Sequence, residues 1–287
     1  MKREAERMAE TGVSMESKYE KLQHILRDMK RVVVAFSGGV DSAFLLKAAM
    51  DTLGEENVLA ITADSETYPA REKAEAIALA KSLGAPHEVI PTSELNIPGY
   101  AENPTNRCYF CKNSLFDHLI PIAEAKGYPY VVFGAIADDL GEHRPGLQAA
   151  HERGVLAPLL EAGIRKSEIR HMSRSFGLAT WDKPSFACLS SRIPYGEEIT
   201  ARKLSMIDQA EDFIMQLGFR QVRVRQHGNL ARIEVASSDL AELLPVAETV
   251  YAKLREIGYD YVTLDLLGYR SGSLNEVLPA SEQALHA

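Results

Sequence analysis

Val32-Val33-Val34-Ala35-Phe36-Ser37-Gly38-Gly39-Val40-Asp41-Ser42 decides the fold. An all-apolar run ends in a glycine pair and passes directly into a helix start, with Phe44, Leu45 and Leu46 beginning the buried face of that helix. Gly38 and Gly39 can adopt backbone angles closed to other residues and carry no side chain to block a ligand, so successive amide N–H groups can close around an anion. Asp41 and Ser42 open the helix, whose positive N-terminal end adds to the attraction. The stretch reads as a phosphate cradle set between a buried strand and a helix.

Outward from the cradle, apolar strands alternate with helical stretches. Strands are expected at 32–36, 58–62, 87–90 and 130–134, and helices at 42–53, 69–83, 112–126 and 166–176. The strands are continuous Val/Ile/Ala runs without polar alternation, so both their faces are buried. That predicts an α/β fold, a doubly wound parallel sheet covered by helices. Ligands in such sheets lie beyond the carboxyl ends of the strands at the topological switch point, where Ser37 to Ser42 would sit. Gly134 and Asp138-Asp139, after the strand at 130–134, should face the same crevice.

After Pro194-Tyr195-Gly196 the pattern becomes helix 200–217, strands 221–226 and 230–235, helix 239–257 and strand 260–266. The Gly228-Asn229 turn predicts a hairpin, hence a partly antiparallel sheet. The expected division is a large α/β domain at 1–196 and a second, smaller α/β domain at 197–287. The first thirty residues read as a charged amphipathic helix, with Met15 a candidate native start.

No apolar run approaches the ~18 residues of a membrane span, and Met1-Lys2-Arg3-Glu4-Ala5-Glu6-Arg7 is too charged and acidic for a signal or transit peptide, so a cytoplasmic protein with no membrane partner is expected. A net charge of −8 argues against a broad basic surface for nucleic acid. Three cysteines do not make a disulfide scaffold.

Cys108 and Cys111 form a C-x-x-C at the expected entry to the helix 112–126, and Cys188 lies in Lys183-Pro184-Ser185-Phe186-Ala187-Cys188-Leu189-Ser190-Ser191-Arg192. A thioredoxin-type pair is disfavoured, because the motif follows a polar loop, Asn103 to Arg107, where a redox motif would follow a strand. Three readings stay open: buried inert thiols, a zinc site with His118 as the nearest further ligand, and a 4Fe-4S cluster on three cysteines, leaving one iron open for another ligand such as sulfide.

The loop lacks the lysine of a GxxxxGK[ST] phosphate loop and the spacing of GxGxxG. Ser37-Gly38-Gly39-Val40-Asp41-Ser42 instead resembles the SGGxDS signature of the ATP pyrophosphatases, in which the loop grips a leaving pyrophosphate while a substrate oxygen is adenylated. The wider order of motifs is similar to the LarE family: His143-Arg144-Pro145-Gly146-Leu147, Ser190-Ser191-Arg192-Ile193-Pro194-Tyr195-Gly196, Val222-Arg223-Val224-Arg225, Ala231-Arg232-Ile233-Glu234, Tyr261-Val262-Thr263-Leu264-Asp265-Leu266 and Arg270-Ser271-Gly272. This resemblance runs from about residue 20 to residue 276.

It implies an ATP-dependent sulfurtransferase that adenylates a carboxylate of pyridinium-3,5-biscarboxylic acid mononucleotide and converts it to a thiocarboxylate, for a nickel-pincer nucleotide cofactor. ATP, Mg2+ and a 4Fe-4S cluster are the implied cofactors. The implied partners are a small-molecule nucleotide, sulfide or a sulfur donor, and further copies of the chain in a homo-oligomer. In the sacrificial members a lone cysteine before the Ser-Ser-Arg motif gives up its own sulfur. Here that position reads as Ala187, with Cys188 one place along, so the chain resembles the three-cysteine branch instead.

By resemblance Cys108, Cys111 and Cys188 hold the cluster, Arg223 takes the substrate phosphate, and Ser191, Arg192 and Glu211 lie near the site. Glu234 and Glu242 match acidic positions linked to metal binding. Lys112 would neutralise phosphates or sit in solvent at the helix start. Arg223 and Arg225, two apart on a strand, share a face, either as forks for phosphate or as a solvated face with cross-strand ion pairs. The rivals are a tRNA thiolase, for which Arg220, Arg223, Arg225 and Arg232 give only a local patch, a single-turnover cysteine-sulfur donor, an amide-forming synthetase and a non-catalytic nucleotide- or metal-binding module.

Overall fold

A computed structural model describes residues 14–140 and 145–279, which leaves His143 and Arg144 of the motif above outside the described residues. The first helix, α1 (Met15–Met29), starts where the Ser14 hydroxyl accepts the Ser17 amide. It buries Leu22, Ile25, Leu26 and Met29, one stripe at helical spacing. There follow β1 (Val32–Ala35), α2 (Val40–Leu53), β2 (Val58–Asp64), α3 (Ala70–Ser82), β3 (His87–Pro91), α4 (Arg107–Ala125) and β4 (Tyr130–Val132).

The four strands form one parallel sheet in the order β3-β2-β1-β4. Alternate residues of β1 feed opposite cores, as continuous apolar strands require. Val32 and Val34 pack with Leu22, Leu26 and Phe44, and Val33 with Phe116 and Leu119 of α4. The chain leaves β1 toward β2 on one side and returns on the other as β4, so the switch point falls at the carboxyl end of β1, beside the glycine loop.

Two short helices, α5 (Pro145–Glu152) and α6 (Pro158–Glu161), which the sequence pattern does not predict, precede α7 (Lys166–Ser175). Beyond them lie α8 (Ala201–Gln216), β5 (Val222–His227), β6 (Leu230–Val235), α9 (Leu240–Leu243), α10 (Ala247–Ile257) and β7 (Tyr261–Leu264). The second sheet has the order β5-β6-β7, antiparallel across the Gly228-Asn229 turn and parallel between β6 and β7. Val222 and Val224 face its apolar core with Ala210 and Ile214 of α8.

Three expected elements are corrected. The helix expected at 112–126 begins at Arg107, so both cysteines of the C-x-x-C lie inside it, one turn apart. The helix expected at 239–257 is split by a 3-10 turn at Leu244–Val246, because Pro245 has no amide to donate and its ring crowds the preceding turn. The last strand ends at Leu264, where the Asp265 carboxylate accepts the Leu267 amide and turns the chain. Among the described residues no helix is long and apolar enough to cross a membrane.

Candidate active site

The glycine loop is built from β1 inward. Gly38 has φ +62°, and a Cβ there would stand 2.7 Å from that of Ala76, so both conformation and space demand glycine. The Ser42 hydroxyl accepts the Ser37 amide at 3.3 Å and donates to the Gly39 carbonyl at 3.2 Å, which fixes the turn at the start of α2. From outside, the Tyr68 hydroxyl donates to the Ser37 carbonyl at 2.9 Å and Lys183 Nζ to the Gly38 carbonyl at 3.3 Å. These bonds engage the Ser37, Gly38 and Gly39 carbonyls and the Ser37 amide, which leaves the amides from Gly38 onward for a ligand.

Gly134 closes the same end of the sheet: a Cβ there would meet the Ser42 amide nitrogen at 3.0 Å. Asp41 is ion-paired to Lys166 at 2.6 Å. Burial lifts its carboxyl above the ordinary value, against the pull of Lys166. Asp138 accepts the Lys166 amide at 2.8 Å and Asp139 the Ile136 amide at 2.9 Å, so both acids organise this rim.

A cavity of about 580 Å³ opens from the loop toward the second sheet, lined among others by Gly38, Lys183, Phe186, Arg192, Glu211 and Arg223. Lys183, 13% exposed, is clamped by Glu72 at 2.7 Å and Glu75 at 2.8 Å.

The wall opposite the loop is a layer of buried arginines. Arg192, 1% exposed, sends Nε and Nη2 to the two carboxylate oxygens of Glu211 at 2.9 and 2.8 Å, and Nη1 to the carbonyls of Ala187 and Cys188 and the Ser191 hydroxyl. Burial is the largest influence on the Glu211 carboxyl and would raise it, but the charge and hydrogen bonds of Arg192, the Arg223 charge and the Val224 amide together hold the pKa below the ordinary value. Arg225 is paired with the fully buried Glu234 at 2.8 Å and donates to the Ser191 carbonyl at 2.8 Å. Glu234 also accepts Ser273 and pairs with Arg232 at 3.3 Å, while Glu242 is exposed on α9.

Arg223 differs. It is 6% exposed, donates to the Val222 and Ser185 carbonyls and packs over Tyr269. Among the described residues no carboxylate lies within ion-pairing distance of it. Burial and the neighbouring Arg192 push its pKa down to about 10. An unneutralised buried guanidinium on a cavity wall attracts an anion. The face shared by Arg223 and Arg225 is thus covered by the 185–192 segment, and one of the two cations is consumed within the protein.

The cysteines gather from two elements. Cys108 is exposed on α4, Cys111 is partly buried on the same helix, and Cys188 immediately precedes the 3-10 turn Leu189–Arg192. Burial pushes the Cys111 thiol up, Glu94 adds to the shift, Lys112 opposes it, and Cys188 and Cys108 are close enough to contribute. The buried Arg107 feels both Cys188 and Cys108. The Tyr100 and Ser190 hydroxyls bond at 2.9 Å beside them. Among the described residues, however, no three His, Cys, Asp or Glu side chains stand in an arrangement that could hold a metal ion. His118 bonds the Ser114 carbonyl of its own helix, and Lys112 lays its stem against Gly146.

The sequence reading did not single out Tyr68, Glu94, Lys166 or Lys183 as part of this site. Only Lys183 carried a signal, its place in the 183–192 stretch that also holds Cys188 and Arg192. The other three gain meaning only from packing.

Comparison with known proteins adds the following. The NAD synthase family pattern matches residues 15–101, the segment that includes the glycine loop. An uncharacterized protein of Synechocystis sp., slr1717, is 48% identical over 92% of this chain and 99% of its own length. The pyridinium-3,5-bisthiocarboxylic acid mononucleotide synthase of Lactiplantibacillus plantarum is 37% identical over 91% of this chain and 95% of its own. Similarity to the glutamine-dependent NAD(+) synthetase of Aquifex aeolicus is confined to 31% of this chain and 17% of that protein.

Proposed function

Because the chain belongs to the LarE family, that of the pyridinium-3,5-bisthiocarboxylic acid mononucleotide synthase, we propose that it is an ATP-dependent sulfurtransferase making a thiocarboxylate on a pyridinium mononucleotide. The observation that carries this reading is the shared cavity: Gly38 of the glycine loop, suited to pyrophosphate, and Arg223, a buried cation with no carboxylate in ion-pairing distance among the described residues and suited to a nucleotide phosphate, line one space. ATP, bringing Mg2+ on its phosphates, and a second phosphorylated ligand would meet there.

A carboxylate is a poor electrophile, so the reaction begins by giving it a leaving group. A substrate carboxylate oxygen attacks the α-phosphorus of ATP, the bond to the β-phosphate breaks, and pyrophosphate leaves into the amides of Ser37 to Ser42. Gly38 and Gly39 provide close backbone approach, and the N-terminal end of α2 adds its field. Sulfur then adds to the acyl carbon of the mixed anhydride and AMP departs, leaving a thiocarboxylate. Arg223 holds the substrate phosphate through both steps, while Arg192 on Glu211 fixes the segment that carries Cys188 and Ser191.

Cys108, Cys111 and Cys188 are the residues that would hold a 4Fe-4S cluster, placing the chain in the three-cysteine branch. Three soft thiols, two of which, Cys108 and Cys188, act on the buried Arg107, suit that group chemically. When bound, it supplies an iron free of protein ligands on which a sulfide donated from outside can be carried. Within the chain, Arg107 offsets thiolate charge and the Tyr100–Ser190 pair fixes the backbone next to Cys188.

The test is anaerobic purification with iron, acid-labile sulfide and zinc measured per chain, beside Cys108→Ala and Cys188→Ala. Multiple thiocarboxylates per chain, formed with ATP and sulfide, are expected from protein holding about four irons, with both iron and turnover lost in either variant. Zinc or no metal, with at most one product per chain, overturns the cluster and returns a cysteine as sulfur donor. Absence of substrate-dependent pyrophosphate release overturns the activity altogether.

A further inference from the structure

The cavity contains a group that the reaction above leaves without a task. Two phenylalanine rings line it. Phe219 is 7% exposed and belongs to the apolar core of the second sheet, but Phe186 is only partly buried. The Phe186 ring meets Tyr68 edge to face at 5.6 Å and 70°, and the Tyr68 hydroxyl bonds the glycine loop at Ser37. On its other flank, the Ser185 carbonyl is held by Arg223, and Cys188 follows two residues later. Phe186 is therefore braced between the loop, the unpaired guanidinium and the cysteine segment. The walls carry both signs of charge: Glu72, Glu75 and Asp208 stand with Lys183 and Arg223. Such a lining suits a zwitterion, a ligand with an anionic phosphate at one end and a cation at the other.

We propose that Phe186 is the platform for the pyridinium ring of the substrate, its π-face against the flat ring cation while Arg223 takes the phosphate, so that Phe186 selects a charged aromatic mononucleotide. This assignment rests on the functional reading above. An aromatic face attracts a cation most strongly where water is excluded, and it stacks on a planar ring at the same time. Phe186 is here a specificity-determining contact and takes no part in bond making.

The probes are nicotinamide mononucleotide, its reduced dihydropyridine form, which keeps the phosphate but loses the ring charge, and ribose 5-phosphate. Binding to the full-length wild type is measured by calorimetry. The oxidised form is expected to bind about tenfold more tightly than the reduced form. Phe186→Leu should lose about tenfold for the oxidised form while ribose 5-phosphate and ATP stay within about twofold, and Phe186→Trp should keep or improve the affinity. Equal binding of the oxidised and reduced forms by the wild type, a comparison that needs no variant to fold, overturns the proposal, as does Phe186→Leu binding like the wild type. Thiocarboxylate formation is assayed in parallel. A wild type that discriminates the two forms but makes no thiocarboxylate refutes the functional reading and leaves the platform standing.

Discussion

Gly38 of the glycine loop and Arg192 and Arg223 of the arginine layer line one cavity, and the two regions are built in opposite ways. The loop is continuous in sequence, from Ser37 to Ser42, and offers backbone amides whose direction is fixed by Gly38 at positive φ and by two hydrogen bonds of the Ser42 hydroxyl. The arginine layer is assembled from two separate elements, Arg192 of the 3-10 turn and Arg223 and Arg225 of β5, and all three residues are at least 94% buried. What separates them is the partner. Glu211 neutralises Arg192 and Glu234 neutralises Arg225, so those two charges hold the protein together, while Arg223 bonds two carbonyls, packs on a ring and has no carboxylate within ion-pairing distance among the described residues. A backbone motif carries its function in its own residues. Among the buried charges of this layer, Arg223 is the one proposed above for the substrate, and pairing is what sets it apart.

The largest expected effect breaks the layer where it is structural. Glu234→Ala strands Arg225 and Arg232 against a fully buried site and should cost about 3–5 kcal/mol in urea unfolding. A variant as stable as the wild type would remove the distinction between paired and unpaired arginines.

Next in size is the loop. Gly38→Ala forces a side chain into positive φ and against Ala76, and should cost about 1–3 kcal/mol together with most of the ATP-dependent pyrophosphate release. Retained release at normal stability would mean that the loop can be rebuilt around a side chain.

Acid then tests the Arg192–Glu211 pair. Glu211 sits below its ordinary pKa of 4.5, because the charge and hydrogen bonds of Arg192, with Arg223 and the Val224 amide, together outweigh burial. A depressed carboxyl contributes its stability in full above that value and loses it as pH falls through the folded pKa, with a slope of up to about 1.4 kcal/mol per pH unit. Unfolding measured from pH 7 down through 4.5 should show this slope in the wild type and a flatter one in Glu211→Gln.

The smallest stability effect belongs to Arg223. Arg223→Met should lie within about 1 kcal/mol of the wild type or above it, since an uncompensated buried charge is removed, while the Michaelis constant for the mononucleotide rises at least about tenfold. A loss as large as that of Glu234→Ala would place Arg223 among the structural arginines and sharpen the comparison against us.

Much of the first half was legible because its information is local. Continuous apolar runs read as strands buried on both faces, which holds for β1 and most of β2 but not for the edge strand β3, partly exposed along its length, and β1 to β4 lie near their expected positions. The start of α4 was not legible, since Arg107 and Cys108 extend that helix across a loop-like composition and bury Arg107 against Tyr195. Pro245 was the visible breaker within the expected helix at 239–257. For the arginines, period-two spacing showed the shared face of Arg223 and Arg225, but spacing carries no information about which carboxylate comes to meet each one.

The sequence by itself determined the phosphate-binding turn, the parallel sheet behind it, the hairpin of the second sheet and the identity of the three thiols, because each rests on neighbours in the chain or on a short period. Only the tertiary structure decided that Lys183 holds the loop from 145 residues away, that Cys108 and Cys188 come together near Arg107, and that Arg223 alone of its layer has no carboxylate within ion-pairing distance among the described residues. The physical reason is that burial and pairing are properties of what surrounds a residue. A guanidinium becomes a strut or a ligand site according to whether a distant carboxylate has packed against it.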